Sequence, residues 1–263
     1  MKKLLAVLLC AALLIPACAS AGLLVPADPA SRAPLTGSDL AFVREQVIAE
    51  LKSRPEWKET KIPAGQWTVG TDLPAGIYSF RHTDTIFSTT VTFTHKVGHS
   101  MKESDFLLLK DAELGKAEPA EGTVLVLDGP VIMAPPAFAS VTVKNSSPEA
   151  VPAYTAGSLT DIPYNELLRL QRELLELIVS GPDFESVLLP AGIWTVGEDI
   201  PAGAWTAVAA ERGVTLRHYK DAVTYNSSWQ SLIDRNSRLD ILLKDGWKLE
   251  ISNPVRFIPA DKQ

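Results

Sequence analysis

Ile62–Ser79 reads IPAGQWTVGTDLPAGIYS, and Leu189–Thr206 reads LPAGIWTVGEDIPAGAWT. Each stretch states one phrase twice: an aliphatic residue, Pro-Ala-Gly, any residue, an aromatic ring, then Thr or Ser. Proline presets φ at the second position of a β-turn and glycine is favoured at the fourth. Each phrase therefore reads as a turn that launches a strand, with the aromatic two residues past the glycine on one face of it. Asp72 and Asp199, before the second phrase, are placed to accept backbone N–H bonds in that turn. The expectation is that Trp67, Tyr78, Trp194 and Trp205 point inward.

The two stretches are parts of a longer repeat. Pro55-Glu56-Trp57 answers Pro182-Asp183-Phe184, and Val69-Gly70-Thr71-Asp72 answers Val196-Gly197-Glu198-Asp199. Downstream, VTFTH at Val91–His95 answers VTLRH at Val214–His218, and LVLDG at Leu125–Gly129 answers LLKDG at Leu242–Gly246. The order of features is the same, which marks a duplicated domain. The first copy spans 35–143 and the second 159–260, with a Ser-, Pro- and Ala-rich linker over 144–158.

Each copy opens on a helical period. Leu40, Val43, Val47 and Leu51 form an apolar stripe in the first copy, with Thr36 or Ser38 as cap. Tyr164, Leu167, Leu170, Leu174, Leu177 and Ile178 form one in the second, with Arg169/Glu173 and Arg172/Glu176 four apart beside it. The remainder of each copy alternates apolar and polar residues in short runs broken by Gly, Pro, Asn and Asp, the pattern of an antiparallel sandwich or barrel. The fold expected is α+β: two tandem modules, each with one N-terminal helix packed on its own small β-domain.

The segments WTVGTDLPAGIYS and WTVGEDIPAGAWT, with LLKDGWKLEI, resemble the VGxDIPAGxY/W-type module of bacterial secreted and surface proteins. The resemblance covers most of both copies. It implies a β-rich domain and an envelope location, and it carries over no catalytic residues.

The N-terminus reads MKKLLAVLLCAALLIPACASAG. Lys2 and Lys3 precede an apolar run from Leu4 to Ile15, too short for a membrane span of about 20 residues and suited to an export signal. The expectation is a signal peptide over 1–17 and a tether over 18–34. Ile15-Pro16-Ala17-Cys18 resembles a lipobox, with proline in an unusual place, and makes Cys18 the candidate lipidation site. Ala19-Ser20-Ala21 offers an ordinary cleavage site, which would make the protein periplasmic or secreted. The only other cysteine is Cys10, so beyond the leader there is no disulfide, cysteine nucleophile or thiolate metal site to expect.

The chain carries 25 Lys and Arg against 31 Asp and Glu. Losing Lys2 and Lys3 with the leader makes the rest more acidic, and no basic run is present, which argues against nucleic acid as partner. His95 and His99 are four apart but lie in a strand running into a glycine turn, without the Glu of a zinc-protease motif. Serine-hydrolase, phosphate-loop and dinucleotide patterns are missing. The reading is a non-enzymatic envelope protein without cofactor or metal, held to the membrane by a lipid and binding or scaffolding an envelope partner. The alternatives are a carbohydrate- or peptidoglycan-binding protein and an envelope enzyme. Trp229 and Trp247 lack aromatic counterparts in the first copy; with Arg217, Tyr219 and Tyr225 they form the candidate ligand patch, or a lid on the second β-domain's own core.

Overall fold

The structure, a computed structural model, describes residues 24–26, 36–83, 88–97, 100–109, 112–144, 154–156, 159–220, 228–232 and 234–262. The signal peptide, Cys18, His99 and Tyr225 lie outside them. Two compact units result. One draws on 1–56 and 143–184, the other on 57–142 and 185–263.

The first unit holds helices α1 (Gly37–Ser53) and α2 (Tyr164–Ser180), and an antiparallel ribbon of β1 (Leu24–Pro26) with β11 (Tyr154–Ala156). Thr36 caps α1. The Asp39 amide donates to Thr36 Oγ1 at 3.2 Å and the Thr36 amide donates to Asp39 Oδ2 at 2.8 Å, closing a capping box. Leu40, Val43, Val47, Ile48 and Leu51 are buried on α1; Leu167, Leu174, Leu175 and Ile178 are buried on α2. The helices pack against each other, where the sequence suggested a helix docked on each copy's own sheet. The physical reason lies in the duplication: two helices with the same apolar stripe are complementary to one another. Arg44 Nε donates to the Gln171 carbonyl at 3.3 Å and Nη2 to Gln171 Oε1 at 3.2 Å, a separation of 127 residues. That is also the repeat spacing, so a position meets its own counterpart, as across a local two-fold axis. Arg44 is buried, with no carboxylate in ion-pair range among the described residues, and burial pulls its pKa down to about 10 against the opposing effect of Glu45.

The second unit is β-sandwich. Its first set of strands is β2 (Thr60–Ile62), β3 (Gly65–Thr68), β4 (Tyr78–His82), β5 (Ser88–Val97), β6 (Ser100–Leu109), β7 (Glu113–Ala117), β8 (Val124–Leu127) and β9 (Val131–Ala134). After β10 (Ser140–Val143) comes a second set: β12 (Phe184–Leu189), β13 (Ala191–Thr195), β14 (Gly203–Ala209), β15 (Val214–Tyr219), β16 (Ser228–Leu232), β17 (Arg238–Leu243), β18 (Lys248–Ile251) and β19 (Val255–Pro259). The first set orders as β2-β9-β4-β7 and β3-β8-β5-β6, the second as β12-β19-β14-β17 and β13-β18-β15-β16. Counted within each set, both give 1-8-3-6 and 2-7-4-5, the order of a jelly roll. The ladders within each set are antiparallel. One pairing joins the sets: β7 runs parallel to β13, with a register shift between Ala191 and Gly192.

Phe80, Phe93 and Phe106 form the aromatic spine of the first set, edge to face at 5.8 and 6.1 Å. In the second, Trp205 meets Phe257 at 88° and 6.5 Å, and Trp194, Leu216, Leu249 and Ile251 are buried around them.

The repeated phrase now has a physical account. In all four, the ring reaches back four residues to the proline carbonyl. Trp67, Trp194 and Trp205 donate through Nε1 to Pro63, Pro190 and Pro201 at 3.1, 3.0 and 3.1 Å, and Tyr78 through its hydroxyl to Pro74 at 3.1 Å. The ring thus latches the turn that precedes its strand. Gly65, Gly192 and Gly203 hold φ of +146°, +150° and +147°, a region essentially reserved for glycine. Trp194 and Trp205 are buried; Trp67 and Tyr78 are half-buried, packed on the edge of the first core. The inward assignment therefore holds fully in the second copy and half in the first.

Candidate functional site

The junction of β7 and β13 collects the unit's buried charge. β7 carries Glu-Leu-Gly-Lys-Ala, poor strand material by propensity. Gly115 admits Pro190: a Cβ there would stand 2.7 Å from the proline ring. On β13, a Cβ on Gly192 would stand 2.6 Å from the Lys116 carbonyl oxygen. The Lys116 ammonium, almost wholly buried, pairs with Asp199 Oδ2, which also accepts the Thr195 amide at 2.7 Å. The matching Asp72 accepts the Thr68 amide at 2.7 Å, so both aspartates act on the turn as the sequence suggested.

Next to this junction, the sheet face of β13, β18 and β15 is polar. Registered pairs place Ile193, Glu250 and Arg217 in one row across it and Thr195, Lys248 and Tyr219 in the next. Lys248 Nζ binds Glu118 Oε2 and donates to Thr195 Oγ1, both at 2.9 Å. Arg217 Nη1 lies 3.6 Å from Glu250 Oε2, and its guanidinium sits 4.6 Å above the Tyr219 ring. Burial pushes the Tyr219 hydroxyl up to about 12, with Glu250 adding and Arg217 opposing. Burial likewise raises the Glu250 carboxyl against Arg217. A cleft of about 440 Å³ opens beside Lys248, walled by Ala75, Gly76, Ile77, Glu118 and Pro119. Chemically the face offers an ammonium, a guanidinium and a phenol as donors and two carboxylates as acceptors.

Of the candidate patch, the structure brings Arg217 and Tyr219 together. Trp247 lies on the other face of the sheet, against His218 at 4.7 Å between centroids, with Lys244 Nζ 4.6 Å over its ring. Strand alternation explains the separation, since His218 falls between Arg217 and Tyr219. Burial, then Lys244, lowers the His218 pKa, and His218 Nε2 accepts the Lys244 amide at 3.4 Å. The Trp229 backbone pairs with Arg217, while the Trp229 side chain, like that of His95, lies outside the described residues. Among the described residues no group of three or more His, Cys, Asp and Glu is arranged to hold a metal, and no helix is long and apolar enough to cross a membrane. The sequence reading missed Lys116, Lys248, Glu118 and Glu250. Their signal was weak, because only pairing across the two copies gives these scattered charges a common place.

No family model and no curated protein matches the chain. Solved structures with partial likeness include the 7S globulin of Momordica charantia, at 12% identity, covering 76% of this chain and 70% of that one, with a TM-score of 0.18. The vicilin of Solanum melongena follows at 10% identity, with coverage of 79% and 71% and a TM-score of 0.20. The vicilin of Capsicum annuum is at 9%, covering 78% of this chain and 72% of that one, with a TM-score of 0.18.

Proposed function

We propose that this is an exported, lipid-anchored envelope protein of non-enzymatic character, built from two tandem copies of the VGxDIPAGxY/W-type module and serving to bind or scaffold an envelope partner. The observation that carries the binding role is the polar face of β13, β18 and β15 beside its cleft. Burying Arg217, Glu250 and Tyr219 together costs stability unless the group is used or fully satisfied. The duplication is supported by the twice-written strand order and the four ring-to-proline latches, and export by the Lys2-Lys3 leader. Mass spectrometry of the mature N-terminus tests the anchor: a diacylglyceryl group on Cys18 is expected, and an unmodified chain starting at Gly22 contradicts it.

A second reading, glycan binding by the second copy, is favoured by the same donor-and-acceptor layer, which suits hydroxyl-rich ligands. It predicts that Arg217→Ala and Lys248→Ala lose retention on peptidoglycan sacculi while keeping the parental circular dichroism. Unchanged retention removes this reading and leaves the first.

A further inference from the structure

The duplication supplies an internal template. In the second copy, edge strand β13 is covered by β7: Ala191 and Gly192 are buried, Gly192 presses on the Lys116 backbone, and Asp199 pairs with the Lys116 ammonium. In the first copy, β3 is the equivalent strand, and among the described residues its ladder partner is β8 alone. Gly65 and Gln66 are exposed. A Cβ on Gly65 would meet nothing nearer than Trp67 Nε1 at 3.7 Å. Asp72 is exposed, held by the Thr68 amide as Asp199 is by Thr195, with no cation in ion-pair range among the described residues.

We infer that the β3 edge is a strand-docking site for an extended polypeptide that adds in parallel, with a glycine against Pro63 and a lysine or arginine against Asp72. The receiving features of β13 are all present on β3, so backbone pairing supplies affinity and the aspartate supplies charge selection. A second copy of this chain is a poor occupant. Among the described residues its free edge of the matching kind is β17, where Asp240, facing Thr206, stands at the place that the Gly115–Lys116 bulge takes in β7. Asp240 against Asp72 is like charge against like charge, which stops the head-to-tail pairing of β7 with β13 from propagating between molecules. The inference deepens the binding role proposed above and rests on it for its cellular meaning, while the docking itself is testable alone.

The probe is a labelled, end-blocked peptide of residues 112–120, AELGKAEPA, titrated by fluorescence anisotropy into the full mature chain. Saturable binding is expected, with protection from hydrogen exchange appearing over 65–68. Asp72→Asn, which keeps the acceptor for Thr68, weakens it roughly two- to fivefold, the value of one partly exposed ion pair. A peptide carrying Lys116→Ala weakens it equally on the parental protein, so the test does not depend on the variant folding. Asp199→Asn leaves it no weaker. Absence of saturable binding, or binding indifferent to both Asp72 and the peptide lysine, overturns the inference. Concentration-dependent oligomers in sedimentation overturn the exclusion of a second copy. None of these outcomes touches the lipid anchor, which stands or falls on the mass of the N-terminus.

Discussion

Replacing Trp194 by alanine probes the ring latch where it is buried best. The ring is 1% exposed and its Nε1 holds the Pro190 carbonyl at 3.0 Å. An aromatic of this size buries on the order of 150–250 Å², worth about 4–6 kcal/mol at about 25 cal/mol per Å²; Trp→Ala at core sites costs about 3–5 kcal/mol. The lost hydrogen bond contributes about 1 kcal/mol of that, because the Pro190 carbonyl is left to find water. Trp67 makes the same bond at 3.1 Å from a half-buried position, so Trp67→Ala costs about half as much. Urea unfolding followed by circular dichroism gives both values. Trp194→Phe, which keeps an aromatic and removes the N–H, separates the bond from the packing and costs about 1–2 kcal/mol more than a volume-matched swap elsewhere. Equal costs at 194 and 67 would show that burial of the ring does not set its contribution. So would two variants that unfold like the parent but lose retention on a polysaccharide column, since the repeated rings would then be a binding surface.

Three further outcomes are expected. Gly192→Ala meets both a φ of +150° and the Lys116 carbonyl, whereas Gly65→Ala meets strain at +146° in open space, so the first costs about 1–3 kcal/mol more than the second in the same unfolding assay. Arg44→Met removes a buried charge that has no ion-pair partner among the described residues, and is neutral or stabilising by about 1–2 kcal/mol; a loss above about 2 kcal/mol contradicts that account. The lowered His218 pKa means the unfolded chain takes its proton first, so the contribution is complete above about pH 6.5 and is lost as pH falls from there toward the folded value; His218→Gln flattens the stability profile in that window, and an unchanged slope contradicts it.

Much of the architecture was legible because short-range chemistry wrote it. Thr36, one of the two caps that the sequence offers, caps α1, and runs such as Val91–Thr94 and Val214–His218 alternate as strands must. What stayed hidden depended on partners distant in sequence. The stripes on α1 and α2 show which faces are buried but not what buries them, and an apolar face is satisfied by another helix as well as by a sheet. Strand β7, with Gly115 and Lys116 in five residues, carries little strand signal; its pairing with β4 on one side and β13 on the other makes it one. The polar face was half visible: Arg217 and Tyr219 stood out through neighbouring aromatics, while Lys248 and Glu250 looked like ordinary surface charge. Trp247 is grouped with them in the sequence because it lacks an aromatic counterpart in the first copy, and the alternation of β15 puts it on the opposite side with His218.

Two copies of one sequence phrase sit in different surroundings: β13 is covered by β7, and β3 is open on that edge among the described residues. Native-state hydrogen exchange on the full chain measures this directly, with each copy serving as control for the other. Amides over Ala191–Thr195 are expected to exchange only through global unfolding, and those over Gly65–Thr68 at least ~100-fold faster through local opening. Matching protection in the two segments, or faster exchange at Ala191–Thr195, would contradict the claim.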